Sequence, residues 1–274
     1  GVGGDPDVIA PLENISENCL FLNIWIPKEM KKDLPVMVWV HGGSNVNGWS
    51  YEPNYRGQNL ANKGVIIVSI GYRMGALGFL PVPFENTPDK HSANWGISDL
   101  VASLEWVNKF IDNFGGDPGN VTLFGESAGG GDIAALMLTP SAKGLFHRAI
   151  IQSGAGATIA QDRAVKAARS IYQAAGIKTI DQASRMSWQQ LIGLPGKTKI
   201  RYYHSVVADG RYTLSTPNYV SDVPLLIGNN KNESLMYLSD TPAADLKQNL
   251  KAYVSGEDIQ KHLDQYSSDA KIQA

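Results

Sequence analysis

VTLFGESAGGG, residues 121–131, is the stretch on which the reading of this chain turns. A β-branched and aromatic run, Val121-Thr122-Leu123-Phe124, leads into Gly125-Glu126-Ser127-Ala128-Gly129, and a helix is expected to follow over 132–138. A G-x-S-x-G between a strand and a helix is the context a nucleophile elbow requires. A serine hydroxyl is a weak nucleophile until a base can reach it, so such a turn holds it on a strained corner, and glycines two places to either side relieve the crowding. The same corner sets the amide of Ala128 and a helix N-terminus where negative charge would develop in acyl transfer. Taken alone, the spacing also suits an ordinary glycine-rich loop.

Composition narrows the classes around this turn. The 274 residues are 43% hydrophobic and 18% charged with 28 glycines and 14 prolines, the profile of a loop-rich globular chain. A net charge of -2 and the lack of a dense Lys/Arg cluster speak against a nucleic-acid partner. The apolar runs are strand-sized, so no membrane span is expected. One cysteine, Cys19, excludes an internal disulfide and a Cys-based zinc site, and it reads as a small hydrophobe in a strand. The opening GVGGDPD has no leader-like pattern, and the N-x-[ST] triplets at Asn14, Asn120 and Asn232 do not discriminate a secreted from a cytoplasmic chain.

Working outward, the chain alternates strands and helices. Strands are expected over 19–26, 35–40 and 65–70, the latter two as continuous apolar runs suited to burial on both faces. Ile97, Leu100, Val101, Leu104, Val107, Ile111 and Phe114 recur at three- and four-residue steps, an amphipathic helix that Gly115-Gly116-Asp117-Pro118 would end. Strand 149–152, helices 162–175 and 181–192, and a last buried strand over 224–227 complete the pattern. Such alternation predicts βαβ units and a mostly parallel sheet.

A serine esterase also needs an oxyanion hole. His41-Gly42-Gly43 follows a buried strand, as does the loop whose backbone amides complete that hole in lipases and esterases. By itself it is equally a plain strand-ending turn. Beside a G-x-S-x-G, the oxyanion reading gains weight.

The chain resembles the type B carboxylesterase and cholinesterase family of α/β-hydrolases. The resemblance rests on Ser16-Glu17-Asn18-Cys19-Leu20-Phe21-Leu22-Asn23-Ile24-Trp25, the His-Gly-Gly loop, Tyr72-Arg73 with Gly75-Ala76-Leu77-Gly78-Phe79-Leu80, and Phe114-Gly115-Gly116-Asp117-Pro118 leading into 121–130. Gln152-Ser153-Gly154, Asp209-Gly210 and Ile227-Gly228-Asn229 with Glu233 extend it over nearly the whole chain. It implies a single α/β-hydrolase domain over 1–274, with a mostly parallel sheet flanked by helices and a helical insertion at 155–205 that contributes to the gorge. Carried over residue by residue, it implies Ser127 as nucleophile, Glu233 as triad acid, and the amides of Gly43, Ser44 and Ala128 as oxyanion donors. Ser153 would support Glu233 from behind, and Glu126 would add negative potential in the gorge or act as buried support. No metal or organic cofactor is implied.

The departures are specific. Ser44 stands where many members have a third glycine, Gly71 where the family has Asn, and Leu100 where it has Gln. The order for this fold is Ser, then Asp/Glu, then His. After Glu233 the sequence offers only His262, in a polar helical stretch, while His41, His91, His147 and His204 precede it. The expectation is therefore a domain incomplete at both ends, without the C-terminal strand and histidine loop, whose histidine would come from a second fragment or from another part of a longer protein. The function expected is hydrolysis, through an acyl-enzyme, of a small-molecule ester with an apolar part, with Trp49, Tyr51 and Phe79 lining the gorge. The rivals are a non-catalytic binding or adhesion homologue on the same scaffold and an inactive truncated esterase.

Overall fold

The computed structural model describes residues 16–29, 31–84, 93–154, 158–200, 204–210, 212–215, 219–231 and 233. The chain divides into two compact units, Gly1–Gly228 and Asn229–Ala274. In the first unit, strand β1 (Leu22–Trp25) and strand β2 (Leu34–Val40) precede the short helix α1 (Gln58–Ala61), strand β3 (Ile66–Ile70) and the short helix α2 (Gly75–Phe79). Helix α3 (Trp95–Phe110), strand β4 (Gly116–Glu126), helix α4 (Ala128–Met137) and strand β5 (Arg148–Gln152) follow. The two-residue strand β6 (Ile159–Ala160), helices α5 (Gln161–Ala174), α6 (Ile180–Ser184) and α7 (Trp188–Gly193), and strands β7 (Val207–Ala208) and β8 (Leu225–Gly228) complete it.

The main sheet has the order β1-β3-β2-β4-β5-β8, with β1 antiparallel to β3 and the other neighbours parallel. This is the mostly parallel, helix-flanked sheet the sequence predicts. From β2 the chain crosses to β3 on one side, and from β4 to β5 on the other. The crevice between the carboxyl ends of β2 and β4 is thus a topological switch point, where open α/β sheets bind ligands.

Local sequence accounts for these elements. In β2 the alternate residues Leu34, Val36, Val38 and Val40 are buried while Pro35, Met37 and Trp39 are half-buried, so one face meets the main core more completely than the other. Strand β3 is buried on both faces throughout. The stripe of α3 enters the core as its spacing predicts, with Ile97, Leu100, Leu104 and Val107 almost wholly inaccessible. Ile111–Phe114 tightens into a 3₁₀ turn, and Gly115 closes it in the left-handed region at φ 84°.

Three expectations shift. The helix after the elbow starts at Ala128 rather than at 132, because tertiary packing overrides the weak helix propensity of Gly129, Gly130 and Gly131. The helix expected over 181–192 breaks into α6 and α7, since Ser187 accepts from Gln190 N and the Gln190 side chain caps Ser187 N, a capping box that begins a new helix. Strand β8 pairs only with β5 among the described residues, and it is exposed rather than buried, Leu226 by 65% and Ile227 by 62%. No helix among the described residues is long and apolar enough to cross a membrane.

Residues 158–200 carry helices with a core of their own: Ala168, Ile171 and Tyr172 of α5 pack with Ala183, Leu194 and Leu80. β6, at the start of this segment, pairs in parallel with β7, which lies beyond its end. Asn94 fixes that closure, donating from Nδ2 to Val207 O at 2.7 Å and accepting from Val207 N at 2.9 Å.

Candidate active site

Ser127 occupies the turn between β4 and α4 with φ 55° and ψ −123°. A non-glycine residue there carries strain of ~1–2 kcal/mol, which the surrounding structure must hold in place. It is held on both sides, because Ser127 N donates to Gln152 O at 2.8 Å and Ser127 O accepts from Gly131 N at 3.0 Å. The turn also needs glycine beside it. A Cβ on Gly129 would fall 2.1 Å from Val40 O, so only glycine lets α4 lie this close to the end of β2.

The loop after β2 faces this corner. Gly43 has φ 112°, and its carbonyl accepts from Val46 N at 3.0 Å and Asn47 N at 3.2 Å. Ser44 and Asn45 both sit at φ 56°, so Ser44 adopts the left-handed backbone that a glycine would take without strain. A cavity of about 270 Å³ opens here, lined by Ser44, Asn45, Ser127, Ala128, Asp132 and His204 among others. Ser127, Ser44 and Ala128 therefore share one pocket, at the switch point of the sheet. Gly43 forms the turn next to it without lining the cavity.

Glu126 and Ser153 do not line this cavity. Glu126 is exposed at the end of β4 and is not buried support; its carboxylate lies against Gly42. Ser153 ends β5 in a left-handed conformation, φ 49°, and its amide donates to Gly228 O at 2.8 Å. Glu233 belongs to the second compact unit and accepts from Asn230 N at 2.7 Å through Oε1. Trp49 and Tyr51 pack on each other at 6.1 Å, and Phe79 is wholly buried in the main core, so Phe79 is packing rather than lining.

The histidines separate clearly. His41 is buried, with Nδ1 2.8 Å from Gly42 O and its ring stacked on Tyr72 at 4.6 Å. Burial lowers its pKa to about 4, with the Gly42 carbonyl partly offsetting, so it is a neutral, structural imidazole. His147 Nδ1 accepts from Val121 N at 3.2 Å and ties the approach to β5 to β4. His204 reaches the pocket of Ser127, and partial burial lowers its pKa also. His91 and His262 lie outside the described residues.

Sequence reasoning did not single out the pocket residues Asn45 and Asp132, and it named His204 only as a histidine that precedes Glu233. Asp132 is wholly buried, and burial raises its pKa to about 7 against the lowering effect of hydrogen bonds from Asn45 and Tyr72. Its position, in the helix that directly follows the nucleophile candidate, is the signal that could have marked it.

Comparison with known proteins gives the same direction. The family model described as "Carboxylesterase family" matches residues 5–274. The para-nitrobenzyl esterase of Bacillus subtilis (strain 168) is 39% identical over 247 residues, covering 84% of this chain and 50% of that protein. The liver carboxylesterase of Sus scrofa is 42% identical over 248 residues, covering 80% of this chain and 43% of that protein. Among solved structures, a PNB esterase superposes with a TM-score of 0.79 at 34% identity, over 92% of this chain and 58% of that one. The chain spans about half the length of the curated relatives it matches.

Proposed function

Because the chain belongs to the carboxylesterase family, we propose that it is a serine carboxylic-ester hydrolase acting through an acyl-enzyme on small-molecule esters. The single observation that carries this reading is Ser127, held at φ 55° on the turn from β4 to α4 and sharing one pocket with Ser44 and Ala128. In this reading Ser127 Oγ attacks the ester carbonyl, and the oxyanion that forms receives hydrogen bonds from the amides of Gly43, Ser44 and Ala128. A histidine accepts the serine proton and returns it to the leaving alcohol; water then repeats the sequence on the acyl-enzyme.

Glu233 orients that histidine, with Ser153 supporting Glu233 and Glu126 adding negative potential near the loop. Asn230 N donates to Oε1 of Glu233 and holds that carboxylate in its loop. The histidine itself lies, in this reading, outside the described residues, and the comparisons lend no support to a second fragment as its source. The segment 155–205 contributes to the gorge, since its last residues, His204 and Ser205, border the pocket. An apolar acyl or alcohol part suits a pocket that Val206 and Ala128 border.

The test is reaction of the purified protein with a fluorophosphonate probe, followed by peptide mapping. The adduct is expected on Ser127 and is expected to vanish in Ser127→Ala. Absence of any adduct on Ser127, with the whole preparation present, would overturn the hydrolase reading in favour of a binding homologue.

A further inference from the structure

Asp132 is an ionisable group that the acyl-enzyme sequence above does not use. It lies on α4, the helix that follows Ser127, and it is 1% exposed at the wall of the same cavity. Its Oδ1 accepts from Asn45 Nδ2 at 3.0 Å, and its Oδ2 is buried with no hydrogen-bond partner among the described residues. Asn45 directly follows Ser44, and Tyr72 joins the same cluster, donating to His41 O at 2.8 Å and lying 3.3 Å from Asn45 Oδ1. Three separate pieces of chain, the loop after β2, the segment after β3 and the helix that follows Ser127, thus meet at one carboxyl group.

We propose that Asp132 is a positioning residue, the buried anchor that fixes Asn45, and with it loop 42–45, against the helix that carries Ser127. This inference rests on the reading of that loop as the oxyanion hole. Donors there stabilise an oxyanion only if they are set before the reaction, within about half an ångström. Asn45 is the residue through which such a setting can be imposed, because it adjoins Ser44 in the chain and its side chain reaches α4.

Burial disfavours the charged form of Asp132, while hydrogen bonds from Asn45 and Tyr72 favour it. The titratable groups near Asp132 are Tyr72, against which the His41 ring stacks, and His204, which lines the same cavity. His41 is neutral above about pH 4, and His204 is disfavoured as a cation, so neither offers a lasting positive partner for the carboxylate.

The experiment is hydrogen exchange by mass spectrometry on the whole chain, comparing the parent with Asp132→Ala, Asp132→Asn and Asn45→Ala. The amides of 43–47 are expected to exchange about tenfold faster in Asp132→Ala and in Asn45→Ala, with β2 and α3 unchanged. Asp132→Asn, whose amide oxygen can still accept from Asn45, is expected to recover most of that protection. Unchanged exchange of the loop in Asn45→Ala, or a loop as open in Asp132→Asn as in Asp132→Ala, would overturn the proposal; Asn45→Ala decides it should Asp132→Ala fail to fold. Loop exchange needs no catalysis, so a parent that takes no fluorophosphonate would sink the hydrolase reading while leaving this result to be judged by itself.

Discussion

Asn45 Nδ2 and Asp132 Oδ1 are 3.0 Å apart, joining the loop after β2 to the helix of Ser127 across 87 residues of sequence. Both residues are buried, so the bond is shielded from competing water. Its removal from the loop side leaves a buried carboxyl with neither oxygen partnered by Asn45. Asn45→Ala is therefore expected to lower stability by about 1–3 kcal/mol in urea unfolding, with a matching fall in the rate of fluorophosphonate labelling.

Two buried groups oppose each other in their pH dependence. His41 titrates at about 4 when folded and near 6.5 when unfolded, so the unfolded chain binds the extra proton in that window, and stability falls as pH drops from 6.5 to 4. Asp132 titrates at about 7 when folded against 3.8 unfolded, so the folded chain binds the extra proton, and stability falls as pH rises from about 4 to 7. Each effect is on the order of 3 kcal/mol, and the two largely cancel in the parent. Asp132→Asn removes one arm, so its melting temperature is expected to climb steadily relative to the parent between pH 4 and 7 and then level off. A constant difference across that range would contradict the assignment.

Gly129 leaves a side chain almost no room. An added Cβ would meet Val40 O at 2.1 Å and His41 O at 2.6 Å, both of them backbone atoms that cannot swing aside. Gly129→Ala is expected to cost ~3 kcal/mol or more, and to move Ser127 enough to abolish labelling even where the protein stays folded. Gly144→Ala is a useful contrast: its φ of 81° makes alanine strained, but no atom stands within 4 Å, so the loss should be nearer 1 kcal/mol.

Arg73 grips Asp99 of α3 with two hydrogen bonds of 2.7 Å, from Nε and from a terminal nitrogen, and Arg73 N adds a third at 2.9 Å. Asp99 is almost wholly buried while the Arg73 side chain is 36% exposed, so solvent screening reduces what the pair is worth. Asp99→Asn is expected to cost about 1–3 kcal/mol in denaturant unfolding, and Arg73→Ala somewhat more, because it strands a buried carboxylate.

Much of the fold was written in short-range pattern. The stripe Ile97, Leu100, Leu104, Val107 can be buried together only on a helix, and the run Ile66–Ile70 is buried on both faces as its composition requires. The turn at Ser127 was legible because strand, G-x-S-x-G and helix stand next to each other in sequence. Less was legible where packing decides. The start of α4 at Ala128 contradicts local propensity, because the glycines that weaken the helix are those that let it approach β2.

The sequence by itself determined the alternation of strands and helices, the corner that holds Ser127 and the glycine loop opposite it, since each depends on residues a few positions apart. Only the tertiary structure decided that Asp132 and Asn45 meet, that His204 reaches the cavity of Ser127 and that β8 is exposed. The order of strands in the sheet brings distant segments to one crevice, and burial then sets the charge of what is enclosed there. Neither effect has a counterpart in the spacing of residues along the chain.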